Sequence, residues 1–255
     1  MIVTLELTHF NQSCYKYTMR LTSEQELLWN LLSKTVQQLC HGRDPSHGHQ
    51  HMELVAKSSL EILDKLPQKN DPNIRRLVII TAWLHDVADH KYDVDGKLRE
   101  KIQIFISSIV PSVEESQLVV NIIDRISFTK EDKCIKTNQP LDWKNVLGIT
   151  GCIVRDIVSD ADKLEAIGLV GAHRCVEYQC EYFMKKNIEK PTVEYIIGKV
   201  IEHANEKLFK LSTEFIRTDI GKVLAKEKHN ELVAILSPPY VKLMEIINDE
   251  ISKIK

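Results

Sequence analysis

The stretch Leu77-Val78-Ile79-Ile80-Thr81-Ala82-Trp83-Leu84-His85-Asp86-Val87-Ala88-Asp89 decides the fold class. From Leu77 to Val87 it is apolar nearly all round, which marks a helix buried on most sides rather than one lying on a surface. Asp71-Pro72 stands ahead of it as an N-cap and first-turn proline, so the spacing predicts a helix running from there through Asp89. Yet the apolar run ends in His85-Asp86. A carboxylate carried into an apolar bundle costs on the order of several kcal/mol unless it is paired or metal-bound. Taken alone, the pair also reads as a helix end in water, with His85 a satisfied core histidine.

Working outward, Ser23 to Cys40 places Leu27, Leu28, Leu31, Leu32, Val36 and Leu39 at helical spacing. After a break at HGRDP, a second amphipathic stretch runs through Val55, Leu60, Ile62 and Leu63, with Ser46 as its expected N-cap. Further helical patterns fall near 97–109, 113–126, 151–185, 192–216, 219–235 and 240–253, with Pro191 and Pro238-Pro239 at starts or joints. Glu131 to Lys144 is polar, carries Pro140, and reads as a loop or insertion at about 131–148. The β-branched runs alternating with helices that signal a parallel sheet are absent. The expectation is an all-α chain: a leader over 1–22, then one helical-bundle domain with short loops over 23–255.

Bulk properties agree. With 43% hydrophobic and 27% charged residues, the 255-residue chain is ordinary for a soluble globular protein large enough to bury a core. A net charge of −2 gives no basic excess for nucleic acid and no acidic tail. Six cysteines (14, 40, 134, 152, 175 and 180) form no CxxC pair, so free buried thiols in a reducing compartment are expected. The N-terminus lacks the features of a signal peptide, and no segment approaches a membrane span. A cytoplasmic protein is expected, with no membrane or nucleic-acid partner and no legible oligomer seam.

Three clusters carry possible chemistry: His47-Gly48-His49-Gln50-His51, His85-Asp86, and Asp160-Ala161-Asp162. His47 and His51 are four apart and would stack on one helical face. The bland alternative is a solvated histidine-rich helix start. Asp160 and Asp162 are two apart and face opposite ways on a helix, so one ion should take only one of them. Asp162 with Glu165 also has the form of a capping box. Two imidazoles and two carboxylates suit a divalent cation of intermediate hardness.

The order of these clusters resembles the HD superfamily of metal-dependent phosphohydrolases, named for an adjacent His-Asp pair in an H…HD…D set. The likeness runs from about Asp44 to the end and is greatest to small HD nucleotide pyrophosphohydrolases. Ser46-His47-Gly48-His49-Gln50-His51-Met52-Glu53-Leu54-Val55 matches a first motif of the form S-H-D-x-x-H-x-x-R-V, with Gly48 replacing aspartate and Leu54 replacing arginine. Leu84-His85-Asp86 matches the second motif and continues to Asp89, Lys91 and Tyr92. Ser127-Phe128-Thr129-Lys130 matches an S-F-[ST]-K element. Asp160 through Lys163, Leu164, Ala166, Gly168, Gly171 and Arg174 matches a D-A-D signature, and His203 with Lys207-Leu208 matches a later element.

Carried over by residue, the resemblance implies His51, His85, Asp86 and Asp162 as metal ligands. It implies Asp89 as general acid/base, and His47, Lys91, Lys130, Lys163 and Arg174 as phosphate contacts. Asp160 is expected to orient or cap. One divalent ion is implied (Mn, Mg, Fe, Co or Ni), as is a nucleotide substrate. Pyrophosphate release from a nucleoside triphosphate is the implied reaction. The competing readings are a nucleoside monophosphate phosphatase, a cyclic-nucleotide phosphodiesterase, a regulatory module without turnover, and a structural helical protein.

Overall fold

Side-chain caps open five of the helices among the described residues. A computed structural model describes residues 19–43, 47–141, 143–186 and 189–254. Eleven α-helices and no strand occur among the described residues, so the all-α expectation is met. The chain gathers into two compact units, residues 1–158 and 159–255, and each is taken by itself.

In the first unit α1 (Ser23–Leu39) opens on Thr22 and Gln25, whose side chains form a capping box. Next comes α2 (His49–Asp64), and then α3 (Pro72–Leu84) opens on Asp71, which accepts from the N–H groups of Asn73 and Ile74. α4 (Lys97–Ile109), α5 (Val113–Ile123) and α6 (Phe128–Lys136) follow. α3 is the hub, packed against α1, α2 and α5. Its residues from Leu77 to Leu84 are all buried, as the apolar run predicts. Trp83 meets Trp29 of α1 edge-on, with ring centroids 5.0 Å apart. The arginines of this buried helix are paired: Arg75 with Asp64, and Arg76 with Glu115 of α5 at 2.5 Å.

Three expectations need correction. The third helix stops at Leu84 rather than Asp89, because the chain tightens into turns joining Val87 N–H to the Leu84 carbonyl and Asp89 N–H to the Asp86 carbonyl. The polar stretch read as a loop from Glu131 is helical through Lys136, and helix resumes at Trp143. Glu131, the first residue of that stretch, is buried against Arg155, a partner 24 residues on. The second helix is capped by Gly48, which offers no side-chain acceptor; the expected cap Ser46 and most of the 1–22 leader lie outside the described residues.

α7 (Trp143–Glu165) is interrupted at Gly148, where φ is 64° and ψ −173°. It carries on into the second unit, which contains α8 (Gly168–Met184), α9 (Val193–His203), α10 (Asp219–Ile235) and α11 (Val241–Lys253). The pattern read as one helix over 151–185 is therefore two, separated at Gly168, whose φ of +74° belongs to the left-handed region. α8 is central here, packed against α9, α10 and α11. Ala204–Leu208 and Leu211–Phe215 are π-helical turns following α9. No helix of the described residues is long and apolar enough to cross a membrane.

Candidate metal centre

In the first unit, α2 and α3 bring His51 and His85 side by side. Their ring centroids are 5.3 Å apart, and each offers a ring nitrogen within 4.8 Å of the other's. His51 sits in the first turn of α2 and is buried; His85 is the C-cap of α3 and half-buried. His85 Nδ1 lies 2.8 Å from the Ala82 carbonyl. A nitrogen facing a carbonyl must donate, so in the neutral ring Nε2 carries the lone pair, the arrangement a metal-binding imidazole needs.

Asp86 follows directly, half-buried in the turn beyond α3. Asp89 lies in the same turn region, and its Oδ1 accepts from the Lys91 N–H at 2.9 Å. Its other carboxylate oxygen is 3.4 Å from His90 Nδ1. The turn geometry is thus organised by Asp89 rather than by a continuing helix.

His47 does not stack on His51 across a helical turn, because α2 starts only at His49. His47 belongs to the preceding turn, where its Nε2 is 3.3 Å from Lys91 Nζ and its ring is 5.7 Å from that of Tyr92. Two residues expected as phosphate contacts therefore stand together. The middle histidine, His49, faces elsewhere: its Nε2 pairs with the Ser33 hydroxyl at 2.8 Å and its ring lies 5.3 Å from Trp83.

Lys130 is placed differently. Its ammonium donates to the Asp124 carbonyl at 3.2 Å and lines a cavity of about 620 Å³ with Arg99, Arg125 and Trp143. Arg99 is held there by the Asp124 carboxylate at 2.6 Å. None of His47, His51, His85 or Asp86 lines that cavity.

The D-A-D signature lies within α7, which continues to Glu165. A capping box at Asp162 and Glu165 is thereby overturned, since no helix starts there. Asp160 is buried and points at residues far along the chain: it accepts from Arg217 N–H at 2.8 Å and from Thr218 N–H and hydroxyl, both at 2.7 Å. Burial pushes its carboxyl above the usual range despite those donors. Asp162 is half-buried on the same helix. Lys163 is buried and donates to the Ser159 hydroxyl. Arg174 is half-buried on α8, and its charge offsets the burial that raises the Glu165 carboxyl. Gly171 lies against the Ala166 carbonyl, which an added Cβ would meet at 2.1 Å, so the signature's glycine has a packing reason.

No family model matches the chain. Among curated proteins, the uncharacterized YpgQ of Bacillus subtilis is 28% identical over 196 residues, covering 73% of this chain and 80% of that protein. Among solved structures, a protein from Lactobacillus plantarum matches with TM-score 0.61 and 25% identity over 85% of this chain and 95% of its own. An HD-superfamily hydrolase from Bacillus thuringiensis matches with TM-score 0.56 and 21% identity over 83% and 94%. The present chain shares its fold with these proteins. Bacillus subtilis YpgQ in complex with ADP has the same fold, with TM-score 0.57 and 21% identity over 83% of this chain and 93% of that one.

Residue-by-residue reading missed Arg43. Its guanidinium donates to the Asp86 carbonyl at 3.3 Å and to the Val87 carbonyl at 2.6 Å, and lies 4.3 Å from the centre of the Tyr92 ring. The only sequence signal was an arginine in the HGRDP break, which has no periodicity to interpret. Arg155 was missed for the converse reason. It is fully buried on α7, and its partner Glu131 comes from α6, 24 residues earlier.

Proposed function

We propose that this chain is a divalent-metal-dependent phosphohydrolase acting on a nucleotide, and that it belongs functionally with the small HD nucleotide pyrophosphohydrolases. The observation that carries the reading is the His51–His85 pair, two imidazoles with ring nitrogens within 4.8 Å on adjacent helices. His51, His85 and Asp86 would hold the ion, with Asp162 as the fourth ligand that the family resemblance implies. The donor set fits: the His85 tautomer presents Nε2, and two carboxylates with two imidazoles suit Mn, Mg, Fe, Co or Ni. Bound there, such an ion polarises a phosphoryl group and lowers the pKa of an attacking water.

The chain's own residues supply the rest. Lys91 supplies a cation and His47 an imidazole beside it for phosphate oxygens, and phosphoryl transfer depends chiefly on such charge and donor placement. Lys130, Lys163 and Arg174 are further phosphate cations in this reading. Asp89, held in its turn by the Lys91 N–H, exchanges the proton. The ADP bound by YpgQ supports a nucleotide as the ligand class.

The test is a panel of nucleoside mono-, di- and triphosphates with added Mn or Mg, with phosphate and pyrophosphate assayed separately. Pyrophosphate from triphosphates is expected, suppressed by chelation. Orthophosphate from monophosphates alone, or no release from any member, would overturn the reading.

A further inference from the structure

We infer that Arg43 is a positioning residue that holds the His85–Asp86 turn in the shape a metal ligand pair needs, a role that rests on the metal-centre reading above. The chain leaves α3 at Leu84, where helical carbonyls run out of intrahelical donors. Arg43 reaches that end from the turn after α1. Gly42, with φ +78°, lets the chain reverse there, and Arg43 N–H closes on the Cys40 carbonyl at 3.2 Å.

From that position one planar guanidinium takes two consecutive carbonyls: Nη1 donates to Asp86 O at 3.3 Å and Nη2 to Val87 O at 2.6 Å. Gripping both carbonyls fixes the orientation of the peptide between them. The direction in which Asp86 projects its carboxylate is set with it. Lysine, a point charge on a flexible stem, cannot reproduce such a fork.

The guanidinium is itself held, lying 4.3 Å from the centre of the Tyr92 ring. Tyr92 stands beside His47, and His47 beside Lys91. Arg43 therefore ties the turn bearing the ligand pair to the His47–Lys91 pair. Packing of α1 on α3 does not depend on it, because Trp29 and Trp83 already join those helices in the core.

Full-length protein stripped of metal with EDTA is titrated calorimetrically with Mn²⁺, and unfolding of the metal-free protein is followed in parallel. Arg43→Lys should weaken Mn²⁺ binding by about tenfold or more, the range for lost outer support of a metal ligand, while the metal-free Tm stays close to wild type. Arg43→Ala should weaken it further, with partial recovery on adding millimolar guanidinium; if that variant fails to fold, Arg43→Lys decides alone. Wild-type Mn²⁺ affinity in Arg43→Lys overturns the inference and leaves the metal centre standing. So does a weaker affinity matched by an equal loss of metal-free stability. Wild-type protein that binds no Mn²⁺ overturns both.

Discussion

Asp160 grips Thr218 twice with one carboxylate oxygen, which accepts from its backbone N–H and from its hydroxyl, each at 2.7 Å. Thr218 is the N-cap of α10, donating nothing to its own helix but accepting from the Gly221 N–H at 2.9 Å. Asp160 thus fastens the start of a helix nearly sixty residues away, and Gly221 is needed beside it, since an added Cβ would lie 2.5 Å from its carboxylate.

Removing this carboxylate strands three donors. Asp160→Ala is therefore expected to destabilise the protein by about 3 kcal/mol, more than an exposed cap would cost. Asp160→Asn, which keeps one acceptor, should cost less. Urea unfolding monitored by circular dichroism measures both. A loss below about 0.5 kcal/mol for the alanine variant would show that water replaces the carboxylate, contrary to its burial.

The buried pair Glu131–Arg155 offers a second test. Their side chains are about 1% and 0% exposed, with Oε2 and Nη2 2.7 Å apart. Arg155 also donates to the Arg125 carbonyl at 2.9 Å and stacks on Trp143 at 3.6 Å. Glu131→Gln removes the fully buried one of the guanidinium's two carboxylates, leaving Asp156 at 3.0 Å, and should cost about 3 kcal/mol. Replacing both with apolar residues, Glu131→Leu with Arg155→Met, should recover much of that loss. A double variant as unstable as the single one would place the stabilisation in the arginine's other contacts.

Asp86 and Asp89, three residues apart, should fail in different ways. Asp86→Ala is expected to abolish Mn²⁺ binding and hydrolysis with the helical spectrum largely intact, because in the proposed metal centre it removes a ligand without opening a core cavity. Asp89→Ala should retain the ion and lower kcat by about 100-fold or more, as a lost general acid/base does. Calorimetry and steady-state kinetics on both separate the roles. Equal loss of bound metal would mean that the two carboxylates share one function.

A pH effect follows from two histidines of the second unit. Burial lowers the pKa of His203, with Lys207 adding to it and Glu206 opposing. His173 is lowered by burial and by Lys253 and Lys242, against Asp249 and Glu250. A depressed folded pKa means the unfolded chain takes the proton first. The stability these groups allow is therefore present above the ordinary histidine value of 6.5 and is lost as pH falls below it. Comparing Tm between pH 8 and pH 5, His203→Gln should show a smaller drop than wild type. An identical drop would remove His203 from the account.

Sequence alone determined what local signals encode. The apolar run Leu77–Leu84, continuing from the Asp71-Pro72 helix start, reads as a helix buried on most sides, and α3 occupies that stretch. Asp71-Pro72 and Thr22 with Gln25 set helix starts because their partners lie within one turn. The His85-Asp86 dipeptide stood out because a charge beside an apolar run demands a reason.

Tertiary structure decided what depends on partners distant in sequence. Glu131 reads as the start of a polar loop until Arg155 arrives from 24 residues on. Asp160 reads as a local cap until Arg217 and Thr218 are brought to it. Arg43 lies in a loop with no repeat to interpret, and only folding sets its guanidinium on the Asp86 and Val87 carbonyls. In each case the deciding term is the desolvation of a polar group, whose sign depends on the partner that meets it in the folded chain.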